Sequence, residues 1–334
     1  MAEPLLDRFD AVLSDLDGVV YAGDHAVPGA PENLRRATGQ GVPVVYVTNN
    51  ASRSVDTVAE HLTELGIPTG PDAVVSSAQA GAALLAERLP GGTPVLVTGA
   101  QALVDVVAAA GLQPVRTQAE APRAVIQGID PQLRWTELAE ASYTLADPDV
   151  LWVATNTDLT IPKERGMAPG NGALVAAVAA ATGRTPEVAG KPEAPIFRTA
   201  AERVGSTRPV VVGDRLDTDV LGGNRAGFAT VAVLTGVDTL ESILAARTAE
   251  RPAYVVADLD GLFQPYPEVE VAAGVGEQRA SCGSATAETD GTVLRVHGSP
   301  EDLDAWRAAC AAWWAAHPDT DAPLAPRLEW GTAR

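Results

Sequence analysis

The sequence is poor in basic residues and in cysteine, and each shortage excludes a class of partner or of structure. Its 334 residues contain 43 Asp and Glu but only 24 Lys and Arg, which gives a formal net charge of −19 at pH 7. Such a surface repels phosphate backbones, so we expect no nucleic-acid partner, although a local group of donors still allows a small anion to bind. The two cysteines, Cys282 and Cys310, are too few for a disulfide framework, and a reducing cytoplasm fits them best.

Long apolar runs are also missing. No uninterrupted apolar stretch reaches the roughly 18 residues that a membrane span needs. The opening stretch MAEPLLDRFD carries acidic residues instead of an apolar signal core. We therefore predict a cytoplasmic protein without membrane insertion. Hydrophobic residues nevertheless make up 46% of the chain, which is enough to pack a globular core.

Short strand patterns and helix patterns alternate along most of the chain. The apolar run FDAVLSD is followed by the helix-like PGAPENLRRATGQG, then by the buried-strand pattern PVVYVTNN and the helix pattern SVDTVAEHLTELG. In that last segment Ser54 is a suitable N-cap and Gly66 is a suitable stop. The alternation predicts an α/β fold with a doubly wound parallel sheet and helices on both faces.

The pattern changes at about residue 265. The stretch 264–291 is typical of turns, and it is followed by a short strand, TVLRVHG, and by a helix capped by Ser299. The last residues are rich in proline, which favours a loosely held tail. Residues 265–334 are therefore predicted to form a small α+β extension, whose role the sequence leaves open.

Polar residues that suit phosphate chemistry follow several of the predicted strands. They are Asp15 and Asp17 in SDLDG, Thr48 and Asn49 in VTNN, Lys191 in a GKP loop, and Asp214 and Asp219 in GDRLDTD. Doubly wound sheets bind their ligands at the carboxyl ends of the strands. Carboxylates of Asp15 and Asp214, with the backbone carbonyl of Asp17, are oxygen ligands of the kind that Mg²⁺ prefers. A lysine and a threonine hydroxyl suit phosphate oxygens, and a carboxylate is a competent nucleophile toward phosphorus.

Each of these residues, taken alone, has an ordinary structural explanation. A lone Asp-x-Asp-Gly often marks only a turn, Thr48 by itself suits a helix cap, and Lys191 by itself suits a solvated lysine. Asn156 and Asp158, in the stretch ATNTD, suit Asx hydrogen bonds as well as an active site. Chemistry is favoured because the motifs occur together and in order. A second Asp-Leu-Asp-Gly, at 258–261, has none of those partners after it, so its two aspartates are predicted to be replaceable.

In order and in residue type, the motifs resemble those of the haloacid-dehalogenase-like phosphatases. The motifs of that family fall on DLDGV, VTNN, GKP and GDRLDTD, and the match covers roughly residues 9–263. The resemblance implies that Asp15 is the nucleophile and that Asp17 is the general acid and base. It also implies that Thr48 and Lys191 hold the transferring phosphoryl group, with Lys191 shielding its charge.

The same resemblance implies a Mg²⁺ site and a substrate site. The metal-binding residues would be Asp15, Asp17 and Asp214, and Asp219 would support these ligands without contacting the metal itself. The substrate-binding residues would be Thr48, Asn49, Asn156, Asp158 and Lys191.

The long stretch between VTNN and GKP resembles an inserted cap of the second type. About 140 residues separate the two motifs, and the cap type is that of the group containing the 4-nitrophenylphosphatases and phosphoglycolate phosphatases. We therefore predict a discontinuous catalytic core over 1–78 and 190–264, a substrate-selecting cap over 79–189, and the extension over 265–334. Gln127 departs from the group, in which a small or apolar residue is more usual at that place.

The resemblance implies a Mg²⁺-dependent phosphomonoester hydrolase that acts on a small phosphorylated metabolite. Glycerol 3-phosphate is the favoured substrate, because 2-phosphoglycolate would need an extra buried cation for its carboxylate and the predicted cap offers no obvious one. The alternatives are 2-phosphoglycolate, pyridoxal phosphate and nucleoside monophosphates. A phosphotransferase with the same aspartyl-phosphate chemistry, or a non-catalytic regulatory protein, is the alternative of a different class. Caps of this type often form dimers in the family, so a homodimer is a further expectation.

Overall fold

A computed structural model describes residues 3–51, 53–163, 165–273 and 277–331 of the chain. Within these ranges the strands β1 to β20 are, in chain order, Ala11–Ser14, Tyr21–Ala22, His25–Ala26, Val44–Thr48, Val74–Ser76, Pro94–Thr98, Gln113–Val115, Ala124–Gln127, Leu151–Ala154, Thr160–Lys163, Gly166–Pro169, Glu187–Val188, Pro209–Gly213, Ala229–Val233, Tyr254–Val256, Val269–Ala273, Gln278–Cys282, Ala285–Thr289, Val293–His297 and Arg327–Gly331.

The helices of the same ranges are mostly short. Helices α1 to α10 are Ala30–Gly39, Val55–Glu64, Ser77–Ala86, Gln101–Ala109, Trp135–Thr144, Asn171–Thr182, Ala194–Arg203, Leu221–Ala226, Leu240–Leu244 and Leu303–Ala316. Helix α2 begins as predicted, because the side chain of Ser54 accepts a hydrogen bond from the backbone N–H of Thr57. Among the described residues, no helix has both the length and the apolar character that crossing a membrane requires.

The chain divides into two compact units, residues 1–44 with 205–334, and residues 45–204. In the first unit, β1, β13, β14 and β15 run parallel in the order β15-β14-β13-β1. Every residue of β1 and β13 is buried, as expected for parallel strands that are covered on both faces. These parallel strands with flanking helices confirm the predicted α/β fold.

The extension differs from its sequence-based prediction in three places. The stretch 264–291, predicted as turns, contains the strands β16, β17 and β18, and β17 pairs antiparallel with each of the other two. The proline-rich tail is not loose throughout, because β20 pairs parallel with β19. Helix α10 is capped by Asp302, whose side chain accepts from the N–H of Asp304, and not by Ser299. The strands of the extension form because neighbouring strands pair with one another, and a local sequence pattern does not reveal that pairing.

Helix α10 joins the extension to elements that precede residue 264 in the same unit. Its Ala309 and Trp313 belong to one buried apolar cluster with Ile243 and Leu244 of α9 and with Val255 of β15. Polar contacts reinforce this packing. The indole N–H of Trp314 donates to the carbonyl of Leu244 at 3.1 Å, and the guanidinium of Arg307 donates to the carbonyl of Val255 at 2.7 Å.

The second unit is built on a parallel sheet of its own. Strands β12, β9, β8, β6 and β7 lie in that order and run parallel, and β4 pairs parallel with β5. A hairpin of β10 and β11 stands between β9 and α6. Helices α5 and α6 pack on one face of the five-stranded sheet around Val125, Trp152 and Val175. Polar residues at the carboxyl ends of β4 and β9 therefore belong to this unit.

Candidate active site

Three aspartates come together at the carboxyl end of the parallel strands of the first unit. Asp15 follows β1 and Asp214 follows β13, and these two strands are hydrogen-bonded neighbours in parallel register. Asp219 lies one turn further on, in a π-helical turn over Leu216–Val220. One carboxylate oxygen from each of the three residues lies within 4.8 Å of the other two. The structure therefore brings together three of the four residues that were predicted for the metal.

The electrostatics of this group favour a cation. Asp214 and Asp219 are only 2% and 1% exposed, and buried carboxylates are costly unless opposite charge compensates them. Backbone donors supply part of this compensation. Oδ2 of Asp214 accepts from the N–H of Val237 at 2.8 Å, and Oδ2 of Asp219 accepts from the N–H of Arg215 at 3.2 Å. Carboxylate oxygens with this spacing, two of them on buried residues, fit Mg²⁺.

A tight turn follows the two aspartates of the first motif. Gly18 adopts a left-handed conformation with φ of +80°, its N–H donates to the carbonyl of Tyr21 at 2.8 Å, and its carbonyl accepts from the hydroxyl of Thr235 at 2.6 Å. The side chain of Asp17 is exposed, whereas that of Asp15 is half-buried. Asp17 is not a member of the three-carboxylate group, and its carboxyl is accessible to solvent.

In the second unit, Thr48 ends β4 and is 8% exposed. Its hydroxyl accepts a hydrogen bond from the N–H of Asn50 at 3.1 Å. This bond holds the turn that follows the strand and leaves the hydroxyl proton of Thr48 able to donate elsewhere. The predicted role of Thr48 as a phosphate contact stays a prediction.

Four predicted site residues of the second unit form one hydrogen-bonded group together with Ser77. We call this group the Asn49 cluster, and it consists of Asn49, Ser77, Asn156, Asp158 and Lys191. Oδ1 of Asn49 accepts from the N–H of Lys191 at 2.8 Å, and Nδ2 of Asn49 donates to the carbonyl of Lys191 at 3.0 Å. Nδ2 also lies 3.2 Å from Oδ2 of Asp158. Lys191 itself is 4% exposed. The amide of Asn49 is therefore occupied by protein groups.

Asn156 and Asp158 are held in the loop after β9. Nδ2 of Asn156 donates to the carbonyl of Asn49 at 2.8 Å, and Oδ1 of Asn156 accepts from the N–H of Asp158 at 3.2 Å. The second bond is the Asx turn that the sequence suggested as an alternative. Asn156 thus closes a turn and also contacts a motif residue, and its predicted place in the active site stays a prediction.

Two residues, Ser77 of the Asn49 cluster and Asn171 beside it, were missed in the sequence. The hydroxyl of Ser77 donates to the carbonyl of Asn49 at 2.9 Å, and Nδ2 of Asn171 donates to the carbonyl of Asn156 at 2.7 Å. Ser77 directly follows β5 and Asn171 begins α6. The available signal was their position, since polar residues at strand ends and helix starts are the ones that organise sites in α/β folds.

Comparison with known proteins identifies the family. The model for haloacid dehalogenase-like hydrolases matches residues 12–113, and a second model, for hydrolases like those of that family, matches residues 188–262. The chain belongs to the haloacid dehalogenase-like hydrolases, as its motifs indicated. It is 42% identical over 313 residues to the D-glycerol 3-phosphate phosphatase of Mycobacterium tuberculosis, and the match spans 93% of this chain and 88% of that protein.

Solved structures agree with this assignment. The glycerol phosphate phosphatase of Mycobacterium tuberculosis in complex with magnesium superposes with a TM-score of 0.85 at 38% identity, covering 98% of this chain and 95% of that one. The 4-nitrophenylphosphatase of Thermotoga maritima superposes with a TM-score of 0.70 at 31% identity, covering 77% of this chain and 97% of that one. The chain is thus a hydrolase whose relatives are phosphatases.

Proposed function

We propose that the protein is a Mg²⁺-dependent phosphomonoester hydrolase that works through an aspartyl-phosphate on Asp15. The observation that carries this proposal is the meeting of Asp15, Asp214 and Asp219 within 4.8 Å at the carboxyl end of the parallel strands. Magnesium held by these carboxylates would neutralise charge on the phosphoryl group, which is the main requirement of phosphoryl transfer. The magnesium complex of the mycobacterial relative supports this choice of metal.

The side chains then have distinct roles in two steps. A carboxylate oxygen of Asp15 attacks phosphorus while the bond to the substrate oxygen breaks, and Asp17 gives its proton to that leaving alkoxide. In the second step Asp17 takes a proton from water, which attacks the same phosphorus and releases the carboxylate of Asp15 and inorganic phosphate. Thr48 and Lys191 would hold the phosphoryl oxygens in both steps. Asp214 would bind the metal, and Asp219 would bind or support it.

Glycerol 3-phosphate is the substrate that we favour. The relative that is 42% identical over 93% of this chain is a D-glycerol 3-phosphate phosphatase, and the substrate is small and carries no second anionic group. We place substrate selection in a cap over residues 79–189, with Asn156 and Asp158 facing the ester. The catalytic core would then comprise 1–78 and 190–264.

The test is a phosphate-release assay on a panel of esters. The expected result is the highest kcat/KM for glycerol 3-phosphate, ahead of 2-phosphoglycolate, pyridoxal phosphate and nucleoside monophosphates. A preference for one of those three would overturn the substrate but keep the reaction class. Transfer of phosphate to an added alcohol in place of water would instead identify a phosphotransferase.

The reaction class is tested by Asp15→Asn and by a chelator. Asn at position 15 keeps the shape of the side chain but removes the nucleophile, so phosphate release should fall to background while the far-ultraviolet circular dichroism is unchanged. Removal of Mg²⁺ should have the same effect and should be reversed by adding the metal back. Near-normal turnover of the variant, or turnover without metal, would contradict the assignment.

We also expect the protein to act in the cytoplasm and to form a homodimer. The first expectation depends on the two-cysteine composition, and the second depends on the cap type. Sedimentation of the purified protein at micromolar concentration would test the dimer, since a monomer throughout would contradict it.

A further inference from the structure

The side-chain amide of Asn49 forms hydrogen bonds with both the backbone N–H and the backbone carbonyl of one residue, Lys191. Oδ1 accepts from the N–H of Lys191 at 2.8 Å, and Nδ2 donates to the carbonyl of the same residue at 3.0 Å. Hydrogen bonds to both the N–H and the carbonyl of one residue restrain the orientation of its backbone, because each bond has a preferred direction. The partners are 142 positions apart in the sequence, so this contact ties the second motif to the third.

Asp158 determines which way the amide of Asn49 points. A carboxylate only accepts hydrogen bonds, so it attracts the NH₂ end of the amide and repels the oxygen end. Nδ2 of Asn49 lies 3.2 Å and 3.4 Å from the two carboxylate oxygens of Asp158. The oxygen of the amide is thereby directed at the N–H of Lys191.

The backbone around this contact is fixed as well. The carbonyl of Asn49 accepts from the hydroxyl of Ser77 at 2.9 Å and from Nδ2 of Asn156 at 2.8 Å. On the other side, a Cβ at Gly190 would lie 2.5 Å from Oδ1 of Asn49, so only glycine permits the close approach. These contacts hold the backbone of Asn49 in place and bring its amide close to the loop that carries Lys191.

We propose that Asn49 is a positioning residue for Lys191, and that Asp158 acts through Asn49 by fixing its amide. The proposal assigns Asn49 to Lys191 instead of to the substrate, and it rests on the proposed function of Lys191 as the cation that holds the phosphoryl group. Lys191 is 4% exposed, so its side chain has little room to compensate for a displaced backbone.

The experiment is a double-mutant cycle on kcat/KM with Asn49→Ala, Lys191→Ala and the double variant. A displacement of about 1 Å at a catalytic group costs about 100-fold in rate, and we expect a loss of that order for Asn49→Ala. Because Asn49 acts through Lys191, the double variant should lose no more than Lys191→Ala does alone. Losses that multiply would show that Asn49 contacts the substrate directly and would overturn the proposal.

A second pair of variants tests the role of Asp158. Asn49→Asp keeps the acceptor for the N–H of Lys191 but places two carboxylates together, so activity should fall. Adding Asp158→Asn returns a donor to the pair and should recover at least tenfold of that loss. No recovery would show that Asp158 does not act through position 49.

A readout without turnover separates this proposal from the proposed function. Acetylation of Lys191 in the folded protein, followed by peptide mass spectrometry, should be faster in Asn49→Ala than in the parent. The matched control is Asn224→Ala, which removes an amide that also joins two loop carbonyls, those of Ala249 and Arg251 at 3.0 Å. It should leave the labelling rate unchanged.

The outcomes are distinct. If the parent releases no phosphate from any ester of the panel but the labelling changes as expected, the proposed function fails and the positioning role stands. If the labelling of Lys191 is the same in Asn49→Ala as in the parent, the positioning role is wrong.

Discussion

Gly18 and Asp214 approach each other so closely that a side chain at position 18 would collide with the carboxylate. A Cβ on Gly18 would lie 2.4 Å from Oδ2 of Asp214, and the glycine has φ of +80°. Both the space and the backbone conformation therefore require glycine. The first motif thus requires glycine at position 18 because Asp214 of the fourth motif lies against it.

Gly18→Ala should displace Asp214 and weaken metal-dependent phosphate release about 100-fold, the typical cost of a shift of about 1 Å at a reacting centre. The matched control is Gly23→Ala, since Gly23 has φ of +62° and a Cβ at that position would meet nothing within 4 Å among the described residues. The control should lose about 1 kcal/mol of unfolding free energy and keep its activity. Magnesium titration of the activity is the measurement, and equal losses in the two variants would contradict a role for the contact.

The second Asp-Leu-Asp-Gly forms a turn, as predicted. Asp258 accepts a hydrogen bond from the N–H of Asp260 at 2.9 Å and caps the 3₁₀ turn Leu259–Phe263. Asp258→Asn should keep kcat/KM within a factor of two, because asparagine caps such a turn about as well as aspartate. The same assay applied to Asp15→Asn supplies the contrast. A tenfold loss in the Asp258 variant would show that the second copy takes part in catalysis.

The sequence contained enough information to predict the three-carboxylate group. Asp15 and Asp214 follow strands whose apolar runs are unmistakable, and the carboxyl ends of neighbouring parallel strands meet by topology alone. Asp219 was predicted from the family resemblance, and Asp17, which was predicted with them, lies outside the group. The hydrogen-bond partners of Asn49, in contrast, could not be predicted from the sequence. Which groups an amide bonds is decided by loops far apart in the chain, and no local pattern encodes that choice. The three strands of 264–291 were missed because alanine and glutamate, which recur in them, carry weak strand signals.

Gln127, the residue that departs from the family pattern, has an energetic consequence. It is fully buried, and neither atom of its amide has a hydrogen-bond partner among the described residues. An unsatisfied buried polar group costs about 1–3 kcal/mol, so Gln127→Met should raise the free energy of unfolding by about 1 kcal/mol. Gln113→Met, at an exposed position of the same sheet, is the control. Urea unfolding measures both, and a destabilised Gln127→Met would indicate that a buried water satisfies the amide.

Both cysteines are chemically protected. Burial raises the pKa of the Cys310 thiol to about 12, and burial together with the nearby Asp304 raises the pKa of the Cys282 thiol to about 12. The thiolate is the reactive form, so neither thiol should react with a disulfide reagent at pH 8 in the folded protein. Both should react after unfolding in guanidinium. A thiol titrated within minutes under native conditions would contradict this.

The carboxyl of Asp10 makes the free energy of unfolding depend on pH. Partial burial alone would raise its pKa, but hydrogen bonds from Ser206, Thr207 and Arg208 outweigh that effect and lower the pKa from 3.8 to about 2. Its stabilising contribution is therefore present above pH 3.8 and is lost as the pH falls through about 2. Asp10→Asn should be less stable than the parent at pH 6, and the difference should shrink on acidification toward pH 2. Urea midpoints across this range measure it, and a gap that does not change with pH would exclude the carboxylate as the cause.

Residue 264 is the end of the proposed catalytic core, but it does not end a folding unit. Helix α10 shares its apolar cluster with α9 and β15, and Arg307 satisfies the carbonyl of Val255. A chain cut after 264 would expose that apolar face to water and would invite aggregation. Anyone who trims this hydrolase for crystallisation, or fuses another protein to it, should therefore keep residues 265–331 attached.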